Sequence, residues 1–104
     1  MSTLLVLTNL PDRAAAERLA DMLVEKRLAA CVNILGPCRS IYRWQGAVEN
    51  ADEVAAVFKT TRAMADTLIA RVAALHSYDV PCVVQWPVDK LIASYAEWVE
   101  TNVG

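Results

Sequence analysis

A single histidine, His76, serves the whole chain of 104 residues. One imidazole excludes any catalytic or metal site that draws two from one protomer. Basic blocks are also missing: lysine and arginine total 10 against 12 acidic residues, for a net charge of −2. Without a Lys/Arg cluster there is no face for duplex nucleic acid and no patch for an anionic membrane. No apolar run approaches the roughly 20 residues of a membrane span. The first eight residues have no basic n-region and too short an apolar core for a secretory leader. A cytoplasmic location is expected. Cys31, Cys38 and Cys82 are odd in number and form no CxxC pair, which argues against a disulfide framework and fits a reducing compartment. The glycine-rich signatures of nucleotide binding, the HExxH helix of zinc proteases and the GxSxG elbow of serine hydrolases are all absent.

What the chain does have is apolar surface. Hydrophobic residues make up 56% of it, above the typical level of about 45–50%. A chain this short buries about two-thirds of its unfolded surface, so it folds alone with a thin margin. Either the core is rich in Ala, Val and Leu, or some apolar surface is buried against another subunit. No linker, repeat or low-complexity tract divides the chain, so residues 1–104 are expected to form one domain.

Residues 3–8 are a short apolar run bounded by Asn9 and Pro11, which predicts a buried strand. Pro11 and Asp12 open a predicted helix to about residue 27, with Ala15, Leu19, Met22 and Leu23 as its apolar stripe. From Cys31 the period changes to two. Gly36-Pro37 interrupts that strand and predicts a bulge, and Gln45-Gly46 predicts a hairpin turn. The returning strand, residues 48–61, puts Val54, Ala56 and Phe58 on one face and Glu49, Glu53 and Lys59 on the other. Residues 62–75 read as a helix built on Ala65, Leu68, Ile69, Val72 and Leu75. A loop at 76–79 leads to a strand over 80–86, with Pro81 at its start. A last helix covers 91–103, with Leu91, Tyr95 and Trp98 aligned. The order βαββαβ plus a terminal helix predicts an α+β, ferredoxin-like sandwich with a long β2–β3 hairpin. That fold hosts many functions. An RNA-binding version needs stacking aromatics on its middle strands and a basic face. Here those strands carry Val, Ala and Glu, so no nucleic-acid partner is expected.

The most chemical stretch is residues 76–82. His76 serves either as the cap of the preceding helix or, with thiolate, as a ligand for a soft or borderline metal. Cys82 is close in sequence, and Cys31 starts another strand. Cys31 fits equally a small buried apolar side chain. His76 has no evident nucleophile or orienting partner, so no enzymatic activity is expected. The hairpin carries Tyr42, Arg43, Trp44 and Glu49, with Lys59 further along the return strand. A long exposed hairpin presents unpaired edges that proteins normally cover, and another copy of the chain would cover them.

Four blocks then fall in a familiar order: residues 25–34 (EKRLAACVNI), 40–46 (SIYRWQG), 53–61 (EVAAVFKTT) and 75–81 (LHSYDVP). With Pro11-Asp12 and the terminal Tyr95-Ala96-Glu97-Trp98, the chain resembles the CutA family of divalent-cation tolerance proteins from about residue 4 to 99. The resemblance implies a ferredoxin-like protomer, a homotrimer with interlocking hairpins, and binding of copper or another divalent metal ion, with no organic cofactor. It also implies a likeness to PII signalling proteins, with clefts between subunits. Two departures stand out. Ser77 replaces a common Pro, and Cys82 replaces a common Glu. Thr8 and Leu75 also stand where some copper-associated members have Cys and a second His. The implied metal ligands come to His76 and Cys31, with Cys82 as a ligand peculiar to this chain. The alternative is a PII-like sensor whose cleft ligand, a small anion or metabolite, meets Trp44, Glu49, Lys59 and Tyr78 beside His76.

Overall fold

The computed structural model describes residues 3–104. Its elements are β1 (Thr3–Leu10), α1 (Arg13–Glu25), β2 (Cys31–Trp44), β3 (Ala47–Thr61), α2 (Arg62–Leu75), β4 (Val83–Pro87) and α3 (Ala93–Asn102). The strands form one antiparallel sheet in the order β2-β3-β1-β4. This is the ferredoxin-like α+β arrangement that the hydrophobic pattern predicts, with α3 added after β4.

Period two decides which side of the sheet is the core. On β1, Leu4, Val6, Thr8 and Leu10 are buried, and Leu5, Leu7 and Asn9 are half-buried. On β3, Val54, Ala56 and Phe58 face the same way as Val6 and Leu10. Leu19 and Leu23 of α1 and Leu68 and Val72 of α2 close over them in one cluster. Asp12 caps α1 by accepting the Ala15 N–H at 2.8 Å, which satisfies one of the free amides at the helix start.

Three helix readings shift by a residue or two. The buried stripe of α1 is Ala16, Leu19, Ala20 and Leu23, and Met22 faces outward. α1 ends at Glu25 because Arg27 turns into the left-handed region at φ 62. The Leu28 and Ala29 amides then close back on the Leu23 carbonyl. In α3 the buried residues are Ala96 and Val99, and Val99 clusters with Ala30, Val103, Met64 and Tyr95. Trp98 and Ile92 are exposed there. The last strand also starts later than expected, at Val83. Pro81 has no N–H to give a ladder, and Val80 stands exposed in the loop before it.

Two features place surface where function can use it. First, β1 ends at Leu10, opposite Val54, but β2 and β3 continue from Cys38↔Glu53 to Trp44↔Ala47. The result is a two-stranded ribbon projecting beyond the sheet, with Ile41 and Val48 exposed. The expected bulge lies between Leu35 and Cys38. Gly36 sits there at φ +154, and a Cβ on it would come within 3.3 Å of the Val54 Cα. Gln45 and Gly46 both have positive φ, 49° and 83°, the backbone of a type I′ hairpin turn. Second, the sheet face away from α1 and α2 is apolar. Register puts Leu5 beside Trp86, and Leu7 beside both Val57 and Val84. Leu35, Val84 and Trp86 are 52%, 45% and 42% exposed.

Candidate functional site: a groove between hairpin and loop

The loop after α2 crosses the sheet where β1 stops, and the ribbon rises beside it. His76 ties the two together. Its Nε2 lies 2.7 Å from the Asn9 carbonyl, and its Nδ1 lies 3.2 Å from the Tyr78 amide nitrogen. A carbonyl only accepts and an amide N–H only donates, so Nε2 carries the proton and Nδ1 is the acceptor. Both ring nitrogens are thus spent on backbone. His76 does terminate α2, as one of its two readings expects, but its ring serves β1 and the loop.

The imidazole also packs against Tyr78, with ring centroids 4.6 Å apart and planes tilted by 48°. Tyr78 then reaches the ribbon: its hydroxyl donates to Glu53 Oε2 at 2.8 Å. Burial first, and this bond to Glu53 second, push the Tyr78 phenol well above its ordinary range. It therefore stays a protonated donor to the carboxylate at neutral pH. Glu53 is only 8% exposed, whereas its parity with Glu49 and Lys59 predicts a solvated side chain. Local pattern holds one signal for this: Glu53 is the first pair past the Gly36–Pro37 bulge, flanked on its face by the small Ala51 and Ala55.

Ribbon and loop enclose a groove of about 1010 Å³. Tyr42, Trp44 and Tyr78 supply aromatic walls, and Glu49, Glu53 and Asp79 supply carboxylates. Arg43 and Cys82 complete its charged and reactive lining. Of the four residues expected in a cleft, Trp44, Glu49 and Tyr78 therefore meet. Lys59 does not join them within a protomer. It lies six residues beyond Glu53 on β3, roughly 20 Å away at strand rise, in register with Cys31 and Leu5.

The three expected metal ligands also separate. Cys82 is exposed at the groove. His76 lies behind Tyr78 with its nitrogens engaged. Cys31 is at the far end of the sheet, three strands from β4 and about 10 Å further along the strand direction. Its sulfur sits 3.3 Å from the Tyr95 hydroxyl. Among the described residues no three His, Cys, Asp or Glu side chains are grouped to hold an ion.

The Cys31–Tyr95 contact makes a pH prediction. Burial, then the bond to Cys31, raise the Tyr95 phenol from its ordinary 10.0 to about 12. An acid with a raised folded pKa contributes stability that is complete below about pH 10. That stability is lost as pH climbs toward about 12, because the unfolded chain ionises first. Melting temperature should therefore fall between about pH 10 and 12, and Tyr95→Phe should flatten part of the fall. Identical slopes for the two proteins would contradict this assignment.

Comparison with known proteins covers nearly the whole chain. The family model described as CutA1 divalent ion tolerance protein matches residues 4–102. The divalent-cation tolerance protein CutA of Thermus thermophilus is 43% identical over 99 residues, covering 95% of this chain and 96% of that protein. Its solved structure superposes with a TM-score of 0.94 at 42% identity, over 98% of this chain and 99% of the other. The crystal structure of CutA from Xylella fastidiosa superposes with a TM-score of 0.96 at 34% identity, over 100% of both chains. With the fold, the hairpin and nearly every residue accounted for by one family, the chain belongs to the CutA1 divalent ion tolerance proteins.

Proposed function

We propose that this chain is a non-enzymatic divalent-cation tolerance protein that works as a homotrimer and binds copper or another divalent metal ion at the groove. The observation behind the cation reading is the sign of the groove lining, three carboxylates and the exposed Cys82 thiol against one guanidinium, although no three of these side chains converge on one point among the described residues. A thiolate favours Cu(I) or Zn(II) over harder ions. Cys82 is the anchor in this reading, since His76 has no free nitrogen and Cys31 is remote. The same spent nitrogens argue against His76 as an acid or base, and hence against an enzyme. Assembly is supported by the apolar sheet face and the projecting ribbon, a surface that a second and third copy would cover.

Titration of the reduced protein with Cu(I) and Zn(II) tests the metal reading. Cys82→Ser should weaken Cu(I) binding at least tenfold, while His76→Ala should leave it within about threefold. Wild-type affinity in Cys82→Ser would remove the groove as the metal site.

The size of the groove favours a second reading, a sensor for a small molecule. About 1010 Å³ is far more than a bare ion needs and matches the roughly 300–1,000 Å³ of organic-ligand pockets. A ligand that binds only the folded assembly raises its melting temperature by mass action, which a thermal-shift panel reads directly.

A further inference from the structure

The bonds of His76 impose a condition on its charge. Its Nδ1 accepts the Tyr78 N–H at 3.2 Å, and its Nε2 donates to the Asn9 carbonyl at 2.7 Å. Only the neutral ring can do both, because the imidazolium carries N–H on both nitrogens and accepts nothing. A second proton would point Nδ1–H at the Tyr78 N–H, donor against donor. The Asn9 bond survives that change, and the Tyr78 bond does not.

The Tyr78 bond is what folds the loop back onto the ring. Among the described residues the Tyr78 N–H has no other acceptor. Tyr78 in turn packs on the imidazole and gives its hydroxyl to Glu53. The chain Asn9–His76–Tyr78–Glu53 thus joins the end of β1, the loop and the ribbon, and every link lies within one protomer. No neighbouring copy has to supply any of them. Few groups face the ring: the Asn9 carbonyl from β1 and the Tyr78 ring from its own loop. Behind Tyr78 stand Glu53 and Tyr42 of the ribbon and Asp12 at the start of α1, and Asp79 follows it in the loop. Among the described residues no carboxylate pairs with the imidazole to hold it protonated.

We propose that His76 is an acid-sensitive lock on residues 77–79: the neutral ring holds the loop at the end of β1, and protonation releases Tyr78 and, with it, the bond to Glu53. Imidazole is the side chain that ordinarily changes charge between about pH 5 and 8, so the loop is closed at neutral pH and loosens in mild acid. The device needs nothing bound in the groove and is independent of the metal and small-molecule readings above.

NMR of the intact protein tests the lock, and the single histidine makes its ring signals unambiguous. At about pH 7.5 the ring-nitrogen shifts should show a protonated Nε2 and a bare Nδ1. Down to about pH 4.5 the Tyr78 amide signal should move with the same midpoint as the His76 ring protons. The exchange protection of that amide should fall about tenfold or more, while protection at Phe58 in the core changes less than about twofold. His76→Gln offers a donor and an acceptor that do not titrate, and it should flatten the Tyr78 response, with melting curves confirming that the variant is folded. A bare Nε2 at neutral pH would overturn the inference, as would a ring that stays neutral throughout the range. So would a Tyr78 amide that keeps its position and protection while the ring titrates, or a response that persists undiminished in His76→Gln.

Discussion

Val57→Asp is expected to break the assembled protein into single chains at low micromolar concentration. Val57 lies at the middle of the open sheet face, in register with Leu7, which in turn pairs with Val84. In a cyclic assembly built on that face, every copy brings the same residue to the interface. Three carboxylates would then enter a low-dielectric contact with no cation to meet them, at a cost of several kcal/mol each. Folding of the protomer should suffer little, because the side chain points away from α1 and α2 and is half-solvated in a single chain. The isosteric Val57→Thr should remain assembled. An unchanged mass for Val57→Asp would mean that copies do not meet on this face.

Phe58→Ala, one residue along, should do the opposite: destabilise the protomer's fold without touching the open face. Phe58 is 0% exposed and heads the fully buried side chains. It packs in the cluster that joins β1, β3, α1 and α2. Removing a buried phenyl ring typically costs about 3–5 kcal/mol in lost transfer energy and residual cavity. Domains of this size hold about 5–15 kcal/mol in total. Urea unfolding should show a large drop in midpoint with little change in slope. A loss below about 1 kcal/mol would mean that the helices do not close over β3 as described. The contrast between neighbours 57 and 58 follows from period two alone.

That same periodicity explains what could be read from the chain before its structure. Val54, Ala56 and Phe58 are buried together as their parity predicts. Asp12 caps α1, Gly36 bends β2, and Gln45-Gly46 turns the hairpin, because each acts through its own backbone. The misreadings concern contacts between segments far apart in sequence. Glu53 reads as solvated from its neighbours, but Tyr78, 25 residues on, covers it. His76 reads as a helix cap or as a ligand, and the partner its ring takes, the Asn9 carbonyl, lies 67 residues earlier. Lys59 shares a strand with the groove residues, yet strand rise carries it away from them. Met22 and Trp98 are apolar at helical spacing, and only the rotation of each helix on the sheet leaves them outside. Residue types gave the candidates here, and register decided which of them meet.

The apolar open face, the projecting ribbon and the groove beside it share one premise: a one-sided sheet that is completed by further copies of itself. Light scattering coupled to size exclusion, on wild-type protein at low micromolar concentration, tests that premise most directly. The predicted mass is three times the 11.4 kDa of the chain. A mass of one chain, with Leu35, Val84 and Trp86 left facing water, would contradict it.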